Sequence, residues 1–174
     1  MSGERDRLTQ AGTKRFGPSG VGIWSAPTID VRRNLLYVAT GNNYTEPDVP
    51  ATDAVLVMDL RTGAKRWARS LLPSDRWNAL CVTPDKAHCP PVKVPYFDFG
   101  SAPILNQLED GGELILAGQT SGGLYALDPE KRGEIRQIRL GRGGTLDGIE
   151  VGDGGWRRKS LRCLLCPYDD GLTP

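Results

Sequence analysis

Residues 54–70 read AVLVMDLRTGAKRWARS, and this stretch decides the fold. Ala54–Leu60 is an apolar, β-rich run, Thr62-Gly63 breaks it, and Lys65–Ser70 resumes an extended pattern. Two such runs joined by a tight turn read as a β-hairpin. Within it, Val57-x-Asp59-x-x-x-Gly63-x-x-x-Trp67 gives each residue a task. Asp59 caps backbone N–H groups of the turn, Gly63 supplies positive φ, and Trp67 packs flat between neighbouring units.

Working outward, the hairpin belongs to a unit that recurs. Ser25-Ala26-Pro27-Thr28-Ile29-Asp30 returns as Ser101-Ala102-Pro103-Ile104-Leu105-Asn106, 76 residues on (101 − 25). Leu35–Gly41 returns loosely as Leu114–Gly118, and Val57–Gly63 as Ala126–Gly133. In the second copy the Gly comes one place late, and Gln137 replaces the Trp. Each unit reads as a Ser-Ala-Pro strand, an apolar strand, a strand ending in Asp, a turn and a fourth strand. Ile104–Leu105, Leu114–Ala117, Leu124–Leu127 and Ile135–Leu140 supply the second set. Four strands in about 40–50 residues is the measure of a propeller blade. The expected fold is all-β: a partial β-propeller of about two four-stranded blades plus the start of a third, with an irregular C-terminal tail. Residues 1–20 form a polar arm, 21–152 carry the repeats with a Pro- and Cys-rich insertion loop at 74–95, and 153–174 lose the pattern. Two blades do not close a ring, and open sheet edges invite aggregation, so the expectation is a piece of a larger propeller.

Composition agrees. Among 174 residues, 22 Gly and 13 Pro make about a fifth of the chain, which favours turns over long helices. No window of helical length shows a 3.6-residue period. Lys plus Arg number 22 against 21 Asp plus Glu, a net charge of +1 that argues against nucleic-acid or polybasic membrane binding. No apolar run is long enough for a transmembrane segment. The opening MSGERDRLTQAGTKRFG has no apolar secretory core.

The hairpin motif resembles the tryptophan-docking motif of the quinoprotein (pyrroloquinoline quinone, PQQ) alcohol dehydrogenases, which opens with Ala where this chain has Val57. Trp24-Ser25-Ala26-Pro27-Thr28-Ile29-Asp30 followed by Leu36-Tyr37-Val38-Ala39-Thr40-Gly41-Asn42 resembles that family's cofactor-contacting segment. There a Trp forms the floor under the quinone, and an Asn eighteen positions later ligates calcium; Trp24 and Asn42 have that spacing (42 − 24 = 18). A planar quinone suits an indole face, and a hard cation takes amide and carboxylate oxygens. Phe97-Asp98-Phe99-Gly100-Ser101-Ala102-Pro103 resembles the segment with the catalytic base, which makes Asp98 the candidate. Trp77-Asn78 is a rival alignment, because the family often has Trp-Asp there; Asn78 could not act as a base. Gly118-Gln119-Thr120-Ser121-Gly122 resembles the strand with a cofactor-contacting Lys or Arg, where this chain has the uncharged Thr120.

Within the family the resemblance is to the polyvinyl-alcohol dehydrogenase-like proteins, over about Gly17–Gly152. It implies oxidation of an alcohol by hydride transfer to a calcium-bound quinone, a cytochrome or quinone electron acceptor, and a periplasmic setting. The isolated piece is expected to be inactive, because the missing blades would supply the other side of the pocket. A Cys81–Cys89 disulfide would brace the insertion loop and suit that compartment. Cys163-x-x-Cys166 precedes Pro167 and not His, so it is no haem attachment signal, and one His in the chain argues against a zinc site. Each site residue also has a plain structural reading: interblade packing for Trp24, a turn for Asn42 and Thr120, a strand-end cap for Asp98. The alternative function is a non-catalytic PQQ-repeat scaffold for protein interaction, since repeats alone do not establish activity.

Overall fold

A computed structural model describes residues 8, 12–14, 17, 19–91, 95–131, 135–144 and 148–150. The expected polar arm falls largely outside these residues. The tail at 153–174, with Cys163 and Cys166, falls wholly outside them. Among the described residues eight strands follow one another: β1 Thr28–Asp30, β2 Leu35–Ala39, β3 Ala54–Asp59, β4 Lys65–Ser70, β5 Ile104–Gln107, β6 Glu113–Gly118, β7 Gly123–Leu127 and β8 Ile135–Arg139. They form two four-stranded sheets, β1-β2-β3-β4 and β5-β6-β7-β8, each an antiparallel meander. These are the two blades of the expected partial propeller. After β8 the described residues hold no further strand.

The turn chemistry repeats as the sequence repeats. Asp59 Oδ1 accepts the N–H groups of Arg61 and Thr62 at 3.1 and 2.9 Å, and Gly63 has φ +69°. Asp128 Oδ1 accepts those of Glu130 and Lys131 at 2.8 and 3.0 Å. Each Asp replaces lost ladder bonds at the turn with its own carboxylate. The degraded second motif keeps its core by exchanging partners across the strand pair. Trp67 lies opposite Val57 in the first blade; Gln137 lies opposite Tyr125 in the second. The aromatic ring has moved from β4 to β7, and Gln137 Nε2 donates to the Tyr125 hydroxyl at 3.3 Å.

Alternation along the strands builds a core shared by the two blades on one face, and a second cluster of Leu116, Leu124 and Ala126 in the second blade. Tyr37 and Ala39, then Val55 and Val57, cluster with Ile115, Ala117, Tyr125 and Leu127 of the second blade and with Phe99 between the sheets. Trp67 packs against this cluster. Burying each large side chain is worth about 1.5–3 kcal/mol. At the rim, Arg33 ties the blades electrostatically. Its guanidinium lies 2.9 Å from Asp30, 2.5 Å from Glu113 and 3.2 Å from Glu130. Burial pushes the Asp30 carboxyl up, but the Arg33 N–H, the guanidinium and the Tyr37 hydroxyl outweigh it and hold the group below its ordinary range. No helix among the described residues is long and apolar enough to cross a membrane.

Candidate functional site

β2 ends at Ala39, and the chain leaves it through Thr40, Gly41, Asn42 and Asn43. Here four segments meet. Gly41 N–H donates to Gly22 O at 2.9 Å, which ties in the segment carrying Trp24. Asn43 N–H donates to Asp75 O at 3.1 Å, and Trp77 N–H to Asn43 O at 2.9 Å, which ties in the insertion loop. Asn42 N–H donates to Asp98 Oδ1 at 3.0 Å. The result is an open cleft of about 650 Å³ whose lining includes Trp24, Asn42, Tyr44, Trp77, Tyr96 and Asp98.

Two glycines let the pieces come this close. A Cβ on Gly41 would lie 3.0 Å from Asp98 Oδ1, and one on Gly100 would lie 2.5 Å from Trp24 Cη2. The Trp24 indole therefore lies over bare backbone, and it remains 55% exposed. The Trp77 and Tyr96 rings stack with centroids 4.3 Å apart and planes 17° from parallel. Asn42 donates its side-chain N–H groups to Asn43 O at 2.6 Å and Trp77 O at 2.7 Å. Its carbonyl oxygen is thus the end it can offer to the cleft. An amide oxygen beside a carboxylate is the donor chemistry a hard cation takes, although it is part of a shell of six to eight oxygens at most. Among the described residues, no group of three or more His, Cys, Asp or Glu side chains could hold a metal by itself.

Behind Asp98 lie two further carboxyls, Asp53 and Asp75, both fully buried. Neither Asp53 oxygen meets a hydrogen-bond donor. Burial first, then repulsion from Asp75 and Asp98, pushes Asp53 up to about 10. Burial also pushes Asp75 up to about 6, against the pull of the Phe97 N–H, which bonds Asp75 Oδ2 at 3.0 Å. Asp98 is raised by burial, and bonds from Tyr96, the Asn42 N–H and Asp53 work against that rise.

Trp24, Asn42 and Asp98 thus line one cleft. Thr120 does not join them. It is 2% exposed, its N–H donates to Asp98 O at 3.0 Å, and its own carbonyl accepts from Gly144 N–H at 3.0 Å. The turn after β6 lies against Gly143, Gly144, Gly148 and Ile149, so Thr120 reaches the site only through the backbone of Asp98. Asn78 lines the cleft but serves as a cap and clamp. Its Oδ1 accepts from Leu80 N–H at 3.0 Å at the start of a short 3-10 helix, Ala79–Val82. The Cys81–Cys89 disulfide is formed, with an S–S distance of 2.08 Å.

The chain is 44% identical over 147 residues to a polyvinylalcohol dehydrogenase from Pseudomonas sp, a match that covers 84% of this chain and 23% of the relative. Over most of its length the chain is similar to a polyvinylalcohol dehydrogenase. A second one, from Sphingopyxis sp. (strain 113P3), is 43% identical over 149 residues, with the same coverage of 84% and 23%. The chain therefore spans about a quarter of the length of the curated relatives it matches. Among solved structures it is similar to the quinohemoprotein alcohol dehydrogenase from Comamonas testosteroni, with a TM-score of 0.48 and 19% identity over 70% of this chain and 17% of that one. No family profile matches the sequence.

Sequence reasoning missed Tyr44, Tyr96 and the buried pair Asp53 and Asp75. Asp53 precedes an apolar strand, where a polar residue reads as an ordinary strand edge. Asp75 lies in a polar loop. Nothing local in either stretch signals burial.

Proposed function

We propose that this chain carries one side of an alcohol-oxidising site in which pyrroloquinoline quinone lies on Trp24, calcium sits at Asn42, and Asp98 accepts the substrate hydroxyl proton. The observation that carries this reading is convergence. Three residues singled out by motif, 18 and 56 positions apart (42 − 24 and 98 − 42), line a single cleft, and one carboxylate oxygen of Asp98 is held by the Asn42 N–H.

When bound, the quinone supplies the hydride acceptor, and the cation polarises its carbonyl. The chain's own residues do the rest. Trp24 offers a flat, half-exposed indole face for stacking. Asn42 turns an amide oxygen to the cleft. Asp98 takes the hydroxyl proton at its carboxylate, and burial makes it a stronger proton acceptor than a free Asp. Thr120 N–H anchors the Asp98 backbone, and the Trp77–Tyr96 stack forms one wall of the cleft. The electron acceptor in this reading is a cytochrome or a quinone, and the setting is periplasmic.

The test is a titration of the purified chain with pyrroloquinoline quinone and calcium, followed by Trp fluorescence, with Trp24→Ala alongside. Saturable, calcium-dependent quenching that the variant loses is the expected result. A folded sample without quenching would overturn the reading and leave a repeat scaffold.

A further inference from the structure

The orientation of the Asn42 amide is set from outside its own blade. An amide side chain has two ends of nearly equal shape, and only its hydrogen-bond partners decide which end faces where. For Asn42 the partners are Asn43 O and Trp77 O, at 2.6 and 2.7 Å. Trp77 O belongs to the insertion loop. If that carbonyl moves, the amide can turn over and present N–H groups to the cleft, and N–H groups cannot ligate a cation.

Trp77 is held by its neighbours on every side. Its N–H donates to Asn43 O at 2.9 Å, and its ring stacks on Tyr96. The next residue, Asn78, is the clamp. One Nδ2 bond reaches Tyr44 O at 3.2 Å, two residues beyond Asn42, and the other reaches His88 O at 3.2 Å. Asn78 Oδ1 accepts from Leu80 N–H at 3.0 Å, and Asn78 O accepts from Cys81 N–H at 2.9 Å. His88 and Cys81 lie at the two ends of the disulfide-closed loop, next to Cys89 and at Cys81 itself. Asn78 thus fastens the closed loop to the strand end that carries Asn42, and fixes the Trp77 carbonyl between them.

We propose that Asn78, braced by the Cys81–Cys89 loop, is a positioning residue that acts through the Trp77 carbonyl to turn the Asn42 amide oxygen into the cleft. The proposal rests on the reading of Asn42 as a cation ligand. It explains why an amide is useful at position 78: Ser there would keep an acceptor for Leu80 N–H but is too short to donate to both Tyr44 O and His88 O. Asn78→Ser therefore removes the clamp, leaves the cap and adds no charge to the cleft.

The experiment is a double-mutant cycle read by terbium(III) luminescence sensitised by the cleft tryptophans, with terbium(III) as the hard, oxygen-seeking probe. The variants are Asn78→Ser, Asn42→Asp and the two combined, each checked for unchanged circular dichroism. With Asn42 present, Asn78→Ser weakens terbium(III) binding about tenfold, equal to ~1.4 kcal/mol. With Asp at position 42 both ends of the side chain are oxygens, orientation no longer matters, and Asn78→Ser changes affinity by less than about twofold. The Asn42 side-chain amide resonances of the 15N-labelled chain shift in Asn78→Ser without any metal. If Asn78→Ser weakens binding equally in both backgrounds, or leaves those resonances in place, the positioning role is overturned while the cation site stands. If the unmutated chain binds no terbium(III), the cation reading itself falls, and this inference with it.

Discussion

Asp75 offers the sharpest test of the buried carboxyl cluster. It is fully buried, one oxygen takes the Phe97 N–H at 3.0 Å, and the other has no partner. Its carboxyl is pushed up to about 6 by burial, with Asp98 adding repulsion. In the unfolded chain it titrates near 3.9. The folded value is raised, so its contribution to stability is fully present below about pH 4 and is lost as pH rises through about 6. Two units correspond to about 3 kcal/mol. The perturbation is Asp75→Asn, which keeps an oxygen for the Phe97 N–H and removes the charge. Urea unfolding with chelator, from about pH 4 to about pH 8, should give variant and wild type nearly equal stability at the acid end. The variant should then pull ahead by up to about 3 kcal/mol near neutrality, most of it gained below about pH 6. The curve reports the three carboxyls as a coupled unit, because removing Asp75 also eases ionisation of Asp53 and Asp98. Parallel curves, or a variant that loses ground as pH rises, would refute the reasoning: Asp75 would then be an ordinary carboxylate held by its N–H.

Gly100→Ala should leave the strands intact but lift the Trp24 indole, because the new Cβ would lie 2.5 Å from Cη2. Trp emission should shift, and quinone-dependent quenching should fall as in Trp24→Ala; unchanged quenching would mean that the indole is not seated on this backbone. Arg33→Met leaves Asp30, 4% exposed, without its guanidinium and cuts the link between blades at Glu113 and Glu130. The expected loss is about 2–3 kcal/mol at neutral pH, somewhat under the cost of breaking a fully buried pair. The folded Asp30 carboxyl is held low, so this stability is present above about pH 4 and disappears as pH falls through the folded value. The gap between variant and wild type should close in acid; a gap that stays constant across the acid limb would show that the guanidinium acts through packing alone.

The strands and their order were legible in the sequence because both signals are local. A β-strand needs alternation at every second residue, and a turn needs its Asp and Gly within four or five positions. Leu35–Ala39, Ala54–Asp59 and Lys65–Ser70 lie where those patterns put them, to within a residue. The Asp59 and Asp128 turns carry the same bonds despite the late glycine in the second copy. Motif resemblance also marked Trp24, Asn42 and Asp98, which carry their type and spacing on the chain. Tertiary structure alone decided what surrounds them. Thr120 is bonded to the backbone of Asp98 but lies beneath Gly144 and Gly148, and those two residues remove it from the wall. The carboxyls of Asp53 and Asp75 are pushed up, like that of Asp98, because three distant stretches close over them and exclude water. The Asn42 amide has its N–H groups occupied because Trp77, 35 residues on (77 − 42), places a carbonyl against them beside that of Asn43. Charge state and amide orientation depend on which groups replace water around a side chain, and those groups come from stretches that only the folded chain brings together.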